Sequence, residues 1–115
     1  QADRIVIVTT EEPPALTDAY AFLKVSRLQN PEAPPPFIVV NMADKRATGR
    51  RVYEQLAKAA ETYLGFRPPL AGIICRDPRV PDSIRAQTPL PQRHPTSQAL
   101  DDVMRVAETL ISGGT

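Results

Sequence analysis

The sequence predicts an α/β protein whose sheet contains three parallel strands. Three short apolar runs, at residues 5–8, 37–40 and 70–74, have the continuous apolar composition of strands that are buried on both faces of a parallel sheet. A segment with helical periodicity follows each run, which gives the predicted order β-α-β-α-β-α-α. This alternation is typical of parallel strands joined by crossover helices.

Composition indicates one globular domain, residues 1–115, in a reducing compartment. Apolar residues make up 42% of the 115 residues, which is typical of a folded rather than a disordered chain. The net charge of +1 gives no general attraction to nucleic acid or anionic lipid. The single cysteine, Cys75, excludes an internal disulfide, so a cytoplasmic location is predicted. No apolar run approaches the roughly 20 residues that a membrane-spanning helix needs.

The first strand is followed by a helix with one apolar face. Two prolines at residues 13–14 prevent further strand pairing, and we expect the helix to begin at Ala15 or Thr17 and to end near Leu28. Four apolar residues share one face of this helix: Leu16, Ala19, Tyr20 and Leu23.

The second strand, predicted to end at Asn41, leads through a polar loop into the second helix. This helix is expected to run from about Arg50 to Leu64, where Gly65 provides a natural C-terminal stop. Its predicted apolar stripe contains Val52, Leu56, Ala59, Ala60 and Tyr63.

The third strand is followed by two predicted helices, a short one near residues 80–86 and a last one near 98–111. Ser97 has the residue type and position of an N-terminal cap for the last helix. Its predicted inward residues are Leu100, Val103, Ala107 and Leu110.

The predicted winding places the crossover helices on a single face of the sheet. The other face would then be bare, so we expect missing structure or a partner chain to cover it. Gln1 also precedes the first strand almost directly. We therefore interpret the chain as a piece of a longer protein.

Polar residues follow all three predicted strands, at the sheet edge where open parallel sheets bind ligands. The segments "TTEEPP", "NMADK" and "CRDPRV" place Glu11 and Glu12 near Asn41 and near residues 75–77. The amide of Asn41 both donates and accepts hydrogen bonds, which suits the edge of a purine. The alternative is that Asn41 only ends a strand and bonds a loop.

Several segments resemble the second half of MinD/ParA-type deviant Walker ATPases, which are P-loop NTPases. The resemblance covers about residues 2–111 and is carried by "IVIVTT", "ALTDAYAFLK" and "IVVNMA", together with the spacing of later residues. It is greatest to flagellar-number regulators of the FlhG/FleN kind. It implies a partial three-layer P-loop NTPase fold that lacks its N-terminal half, so that the chain is the C-terminal part of the ATPase domain.

The resemblance implies an ATP-dependent positioning switch for flagellar placement or number, cell division or partition. The complete protein would bind ATP or ADP with Mg²⁺ and form a homodimer in the ATP state. In this family the residue at Asn41 bonds adenine, and the one at Glu12 lies near the dimer interface and the facing nucleotide. Asp18 matches the acid of the family's "DAY". The loop that flanks adenine maps to Ile74, Cys75, Arg76 and Asp77.

The sequence departs from the family pattern at three positions in or beside these segments. Glu11 and Cys75 stand where proline is usual, and Met42 stands where arginine is frequent; methionine can still pack on a purine. The sequence contains no glycine-rich loop with a phosphate-binding lysine and a hydroxyl ligand for magnesium. We therefore predict that the chain alone has no catalytic residues for ATP hydrolysis and is inactive.

Other interpretations stay open on sequence alone. The chain could be an α/β protein-interaction module that binds no nucleotide, or a small-molecule enzyme that uses Glu11, Glu12 and Asp77 as acids. Cys75 is interpreted as a packing residue rather than a nucleophile, because no base lies near it in sequence. The basic segment at 44–51 could contact DNA non-specifically, or could simply be a solvated helix start. No metal-ligand spacing and no amphipathic membrane helix are seen in the sequence.

Overall fold

The computed structural model describes residues 5–112 as one three-stranded sheet with flanking helices. The strands lie in the order β1-β2-β3, and both neighbouring pairs are parallel. The predicted α/β class with three adjacent parallel strands is therefore confirmed. The elements are β1 (Val6–Thr9), α1 (Pro13–Gln29), β2 (Phe37–Ala43), α2 (Arg46–Leu64), β3 (Leu70–Cys75), α3 (Arg79–Ala86), α4 (Leu90–Arg93) and α5 (Gln98–Ser112).

The larger core lies between the sheet and the two crossover helices, α1 and α2. Alternate residues of β2, Ile38 and Val40, are fully buried against this layer, as is Leu23 of α1. The predicted face of α1 is confirmed, because Ala19 and Leu23 are buried and Leu16 and Tyr20 pack against the same core.

Helix α2 packs unusually close to the sheet because Gly49 faces it. A Cβ atom at Gly49 would lie 2.6 Å from Cγ2 of Ile73 and 3.1 Å from Cβ of Ala43. The buried stripe of α2 therefore starts at Gly49 and continues through Val52, Tyr53, Leu56, Ala57 and Ala60.

The predicted stripe of α2 was wrong at its last residue. Tyr63 is 75% exposed, whereas Tyr53 is buried and its hydroxyl donates a 2.6 Å hydrogen bond to the carbonyl of Pro68. A buried tyrosine needs a partner for its hydroxyl, and the chain that returns toward β3 provides one at Tyr53.

The second face of the sheet is not bare, contrary to the prediction. Helix α5 packs on it and forms a smaller core with Phe37, Val39, Ala71 and Val106. The prediction holds only over β1, where Val6 and Val8 are exposed. These two residues pair in register with Phe37 and Val39, so they lie on the face that α5 covers farther along the sheet.

Helix α5 is rotated relative to the prediction, and the reason is a buried charge. Its buried residues are Ala99, Asp102 and Val106, whereas Val103 is 48% exposed. Leu110 packs against the smaller core as predicted, but Ala107 is exposed. Counting apolar residues excluded Asp102 from the inner stripe, although a carboxylate can be buried when it is paired and hydrogen-bonded.

Element boundaries differ from the predictions mainly at helix starts. Helix α1 begins at Pro13, because proline fits the first helical turn, where its missing N–H is not needed. Helix α2 begins at Arg46, four residues earlier than predicted, and α4 was not predicted. Strand β2 continues past Asn41 to Ala43 through Met42, whose φ of 55° lies in the left-handed region.

No helix within residues 5–112 has the length and apolarity needed to cross a bilayer.

Candidate functional site

A cleft of about 640 Å³ opens at the carboxyl ends of β2 and β3, beside α3. It brings together most of the predicted site, because it is lined by Asn41 on one side and by Ile74, Cys75, Arg76 and Asp77 on the other. We call residues 41–46, of which Asn41, Met42 and Asp44 line the cleft, its β2 side, and residues 74–78 its β3 side. Parallel pairing places both sides at the same end of the sheet.

Glu12 does not line this cleft. It is exposed at the start of α1, where its carbonyl accepts hydrogen bonds from the N–H groups of Ala15 and Leu16. Asp18 lies in a different groove, beside β1. The structure therefore separates these two predicted residues from the other five.

Glu11 links the end of β1 to the β2 side of the cleft. One of its carboxylate oxygens accepts a hydrogen bond from the backbone N–H of Asp44, at 3.1 Å. Glu11 and Glu12 thus have different surroundings, and the Glu11 carboxylate is hydrogen-bonded to the backbone of the loop at Asp44. This arrangement does not form a pair of acids that tune each other.

Asn41 holds the unusual backbone at the mouth of the cleft. Its side-chain oxygen, Oδ1, accepts a 2.9 Å hydrogen bond from the N–H of Met42, the residue with φ of 55°. An amide oxygen has a second lone pair, and the Nδ2 group has two N–H donors. Asn41 can therefore support the turn and still present both a donor and an acceptor to a ligand.

The Asp77 side chain is buried, and both of its carboxylate oxygens are hydrogen-bonded within the protein. Its Oδ2 accepts hydrogen bonds from Ser97 Oγ at 2.6 Å and from the N–H of Ala99 at 3.1 Å. Its Oδ1 accepts from the N–H of Arg79 at 2.9 Å. The Ser97 hydrogen bond is the main cause that lowers the pKa of Asp77 to about 2, the two backbone bonds add to it, and burial opposes it.

Asp77 therefore anchors the start of α5 and the start of α3, and its carbonyl also accepts a hydrogen bond from the N–H of Val80. A carboxylate that is ionised and fully bonded cannot act as a general acid at neutral pH. The structure thus argues against an enzyme that uses Glu11, Glu12 and Asp77 as acids.

Asp102 is the residue that sequence reasoning missed. It is fully buried beneath the cleft, and it accepts hydrogen bonds from Arg46 Nη2 at 2.7 Å, Gln98 Nε2 at 2.8 Å and the N–H of Cys75 at 2.9 Å. Burial raises the pKa of Asp102, but the hydrogen bonds from Cys75, Arg46 and Gln98 outweigh it and bring the pKa below its usual value. The Arg46–Asp102 pair spans 56 residues of sequence, so no local pattern could have revealed it.

Cys75 is a protonated packing residue at neutral pH. Burial, followed by the nearby Asp102 carboxylate, raises the pKa of its thiol. A nucleophilic cysteine needs the opposite shift. The thiol therefore contributes a half-buried, weakly polar surface to the cleft.

The remaining cleft wall is apolar. Met42 extends from the β2 side, and Pro78, Val80, Pro81 and Ile84 line the opposite wall, with Ile84 largely exposed. Apolar walls with a few polar groups at the edge are the general composition of a small-molecule site. No cluster of three or more His, Cys, Asp or Glu side chains suited to a metal ion occurs within residues 5–112.

A second ion-pair cluster fixes the loop beyond α3. Asp82 accepts hydrogen bonds from Arg93 Nε at 2.7 Å and pairs with His94 Nε2 at 2.6 Å. The hydrogen bond from Arg93, followed by that from His94, lowers the pKa of Asp82 to about 2. His94 therefore holds the helix that forms one cleft wall.

Comparison with known proteins identifies two curated relatives, whereas no protein-family profile matches the chain. The flagellum site-determining protein YlxH of Helicobacter pylori is 42% identical over 63 residues, which is 55% of this chain and 20% of that protein. The antiactivator FleN of Pseudomonas aeruginosa is 28% identical over 99 residues, which is 85% of this chain and 35% of that protein. The chain thus spans only a minor part of the length of either relative. At modest identity, both matches support the predicted resemblance to flagellar regulators.

Proposed function

We propose that this chain is the adenine-binding part of an ATP-dependent regulator of flagellar number or placement, of the MinD/ParA kind. The observation that carries the proposal is the cleft at the carboxyl ends of β2 and β3, where Asn41 lies across from residues 74–78. The similarity to a flagellum site-determining protein and to an antiactivator supports the choice of process.

In this proposal the base lies between Met42 and the apolar wall formed by Pro78 and Val80. Asn41 donates to a ring nitrogen of adenine and accepts from its amino group, while the backbone of residues 74–77 lies beside the base. Such a donor–acceptor pair distinguishes adenine from guanine, whose edge has a different hydrogen-bonding pattern.

The remaining parts of the nucleotide are assigned to polypeptide outside this chain. In the complete protein, the phosphates of ATP and the Mg²⁺ ion are bound by the segment that contains the phosphate-binding loop, and ATP is hydrolysed there. Glu12, exposed beside the end of β1, is proposed to lie near the facing subunit in an ATP-bound homodimer.

The experiment that tests the adenine site is a titration of the isotope-labelled chain with adenosine and, separately, guanosine, followed by NMR chemical shifts. We expect adenosine alone to shift the amide signals of residues 41–44 and 74–84. A matched pair of variants controls for charge, since Ile84 and Ile111 are both highly exposed but only Ile84 lines the cleft. Ile84→Lys should weaken the response and Ile111→Lys should leave it unchanged. Equal shifts with guanosine, or shifts that map away from the cleft, would contradict the proposal.

The second candidate is a protein-interaction module that binds no nucleotide. It is favoured by one observation, the exposed apolar side chains of Val8 on β1 and Phe22 on α1, which share a groove of about 330 Å³. An absence of any adenosine response, together with a protein partner that protects this groove, would support it.

A further inference from the structure

The two sides of the cleft are tied together by one buried side chain that belongs to neither. Arg46, at the end of the β2 side, donates from Nη2 to Oδ1 of Asp102 at 2.7 Å. Cys75, on the β3 side, donates its backbone N–H to the other oxygen, Oδ2, at 2.9 Å. Asp102 lies on α5, which contributes Ala99 to the cleft lining, so a third element bridges the two sides.

The pairing of β2 with β3 is irregular at this point, which makes such a bridge consequential. The register shifts between Val40 and Ala43, and only one backbone hydrogen bond, from Arg76 N–H to the carbonyl of Ala43 at 2.7 Å, follows the last strand pair. Beyond this bond the two sides diverge toward α2 and α3. Asp102 adds a second connection, since it joins the Cys75 N–H, within the last strand pair, to the side chain of Arg46, which lies beyond Ala43 on the other side.

We propose that Asp102 is a positioning residue that sets the width of the cleft by holding Arg46 and the Cys75 backbone at a fixed separation. The ligand meant here is the adenine base, so the inference rests on the proposed function for the identity of the ligand. Asp102 touches no ligand itself, because it is fully buried beneath the cleft wall.

The alternative is that Asp102 serves only to attach α5 to the sheet. That role is already filled in part by Asp77, which bonds Ser97 and the N–H of Ala99 in the first turn of α5. It is also filled by the contact of Val106 with β3. A purely structural Asp102 would affect unfolding without changing how often the cleft opens in the folded protein.

The single cysteine of the chain provides the readout, since Cys75 lines the cleft and its N–H is bound to Asp102. The rate of alkylation by a neutral reagent, N-ethylmaleimide, would be measured against pH at a temperature where each variant is folded by circular dichroism. The apparent pKa of the rate reports the charges around the thiol, and the limiting rate at high pH reports access to it. The groups that influence the pKa of the thiol are Asp102, Arg46, Glu11 and Asp44.

Two variants should shift the apparent pKa in opposite directions while both raise the limiting rate. Asp102→Asn removes a negative charge and lowers the pKa of the thiol; Arg46→Met removes a positive charge and raises it. Each variant loses a charge-assisted hydrogen bond of the bridge, so we expect the limiting rate to rise about tenfold, which corresponds to about 1.4 kcal/mol of easier opening.

Matched controls lie on the same helix. Asp101→Asn changes an exposed neighbour, and Arg105→Met removes a cation 3.7 Å from Asp102 that does not reach the cleft sides. Both should leave the limiting rate at the wild-type value. An unchanged limiting rate in Arg46→Met would overturn the proposal. Because the Arg46 side chain is half-exposed, this variant is expected to fold and tests the proposal even if Asp102→Asn does not fold.

Adenosine distinguishes the failure of this inference from the failure of the proposed function. Protection of wild-type Cys75 by adenosine, but not by guanosine, is expected if the cleft is an adenine site. If the variants open the cleft and adenosine protects nothing, the width-setting role stands and the adenine assignment fails. If adenosine protects Cys75 and the variants have wild-type limiting rates, the adenine assignment stands and the width-setting role of Asp102 fails.

Discussion

At the scale of single residues, the cleft depends on side chains that hold backbone rather than on free reactive groups. Asn41, Asp77 and Asp102 each accept hydrogen bonds from backbone N–H groups next to the cleft. Sequence reasoning could place Asn41 and residues 74–77 at the same edge, because parallel strands end together. It could not assign Asp77 its anchoring role or detect Asp102, since both depend on partners 20 or more residues away.

We expect Asn41→Ala to weaken adenine-nucleotide binding by the complete protein about 5- to 150-fold. The reason is the loss of one or two hydrogen bonds to the base, worth about 1–3 kcal/mol if the groups left behind are buried. Isothermal titration with ATP and GTP should also show reduced selectivity. Asn30→Ala, the same change at the exposed end of α1, should have no effect. Unchanged affinity and unchanged selectivity in Asn41→Ala would return Asn41 to a role in the turn alone.

Ser97→Ala should destabilise the chain by about 1–3 kcal/mol at pH 7, because it leaves the buried Asp77 carboxylate short of a hydrogen bond. The folded-state pKa of Asp77 is about 2, below the ordinary value of about 3.9 in an unfolded chain. The stabilisation it gives is therefore present above about pH 4 and is lost as the pH falls toward about 2.

The measurement is urea unfolding of wild type and Ser97→Ala between pH 7 and pH 3. The difference in unfolding free energy should shrink as the pH falls, leaving a remainder from the weaker 3.4 Å bond between Leu100 N–H and Ser97 Oγ. Ser26→Ala, on α1, should show no such pH dependence. A difference that is constant with pH would mean that Ser97 does not act through the charge of Asp77.

At the scale of elements, strands and their order were predictable, whereas helix faces and helix starts were less so. The apolar runs identified all three strands, because a strand buried on both faces leaves a continuous signal. The inner face of α5 was misjudged because Asp102 occupies it, and the start of α1 because prolines were taken as breakers rather than as first-turn residues. The helix layer on the second face of the sheet consists of α5, which packs on β3. The periodicity of a helix predicts which of its residues face inward, but it does not determine which face of the sheet the last helix covers.

The contact of α5 with β3 should depend on Gly72. A Cβ atom there would lie 2.6 Å from Cγ2 of Val106, so Gly72→Ala should destabilise the chain by about 1–3 kcal/mol through overpacking. Val106→Ala, which leaves a cavity, should also destabilise it. The double variant should be less destabilised than the sum, because the new methyl group occupies the space that the valine leaves, with a coupling of about 0.5–3 kcal/mol. Thermal and urea unfolding of the four proteins measures this cycle, and strict additivity would show that the contact is relaxed in solution.

At the scale of the whole molecule, the described chain is covered unevenly. Helices α1 and α2 cover one face and α5 covers β2 and β3 on the other, but Val6 and Val8 of β1 stay exposed. Beside them, Phe22 of α1 is 49% exposed and lines the same groove. Within residues 5–112, β1 also pairs with one neighbour only, which leaves the backbone of its other edge without a strand partner. Exposed apolar side chains beside an open strand edge are typical of surfaces that associate.

We therefore expect the 115-residue chain to self-associate or to bind a hydrophobic dye through the β1 edge. Burying one such side chain is worth about 1.5–3 kcal/mol, so covering Val8, which is 60% exposed, and Phe22 would favour association. Val8→Lys should reduce both self-association in sedimentation equilibrium and fluorescence of bound anilinonaphthalene sulfonate, because lysine on an edge strand opposes pairing. Tyr63→Lys provides the control, since Tyr63 is 75% exposed but lies outside the groove. A monodisperse monomer without dye binding would mean that the exposed residues of β1 and α1 do not form an associating surface, and equal effects of the two variants would place that surface elsewhere.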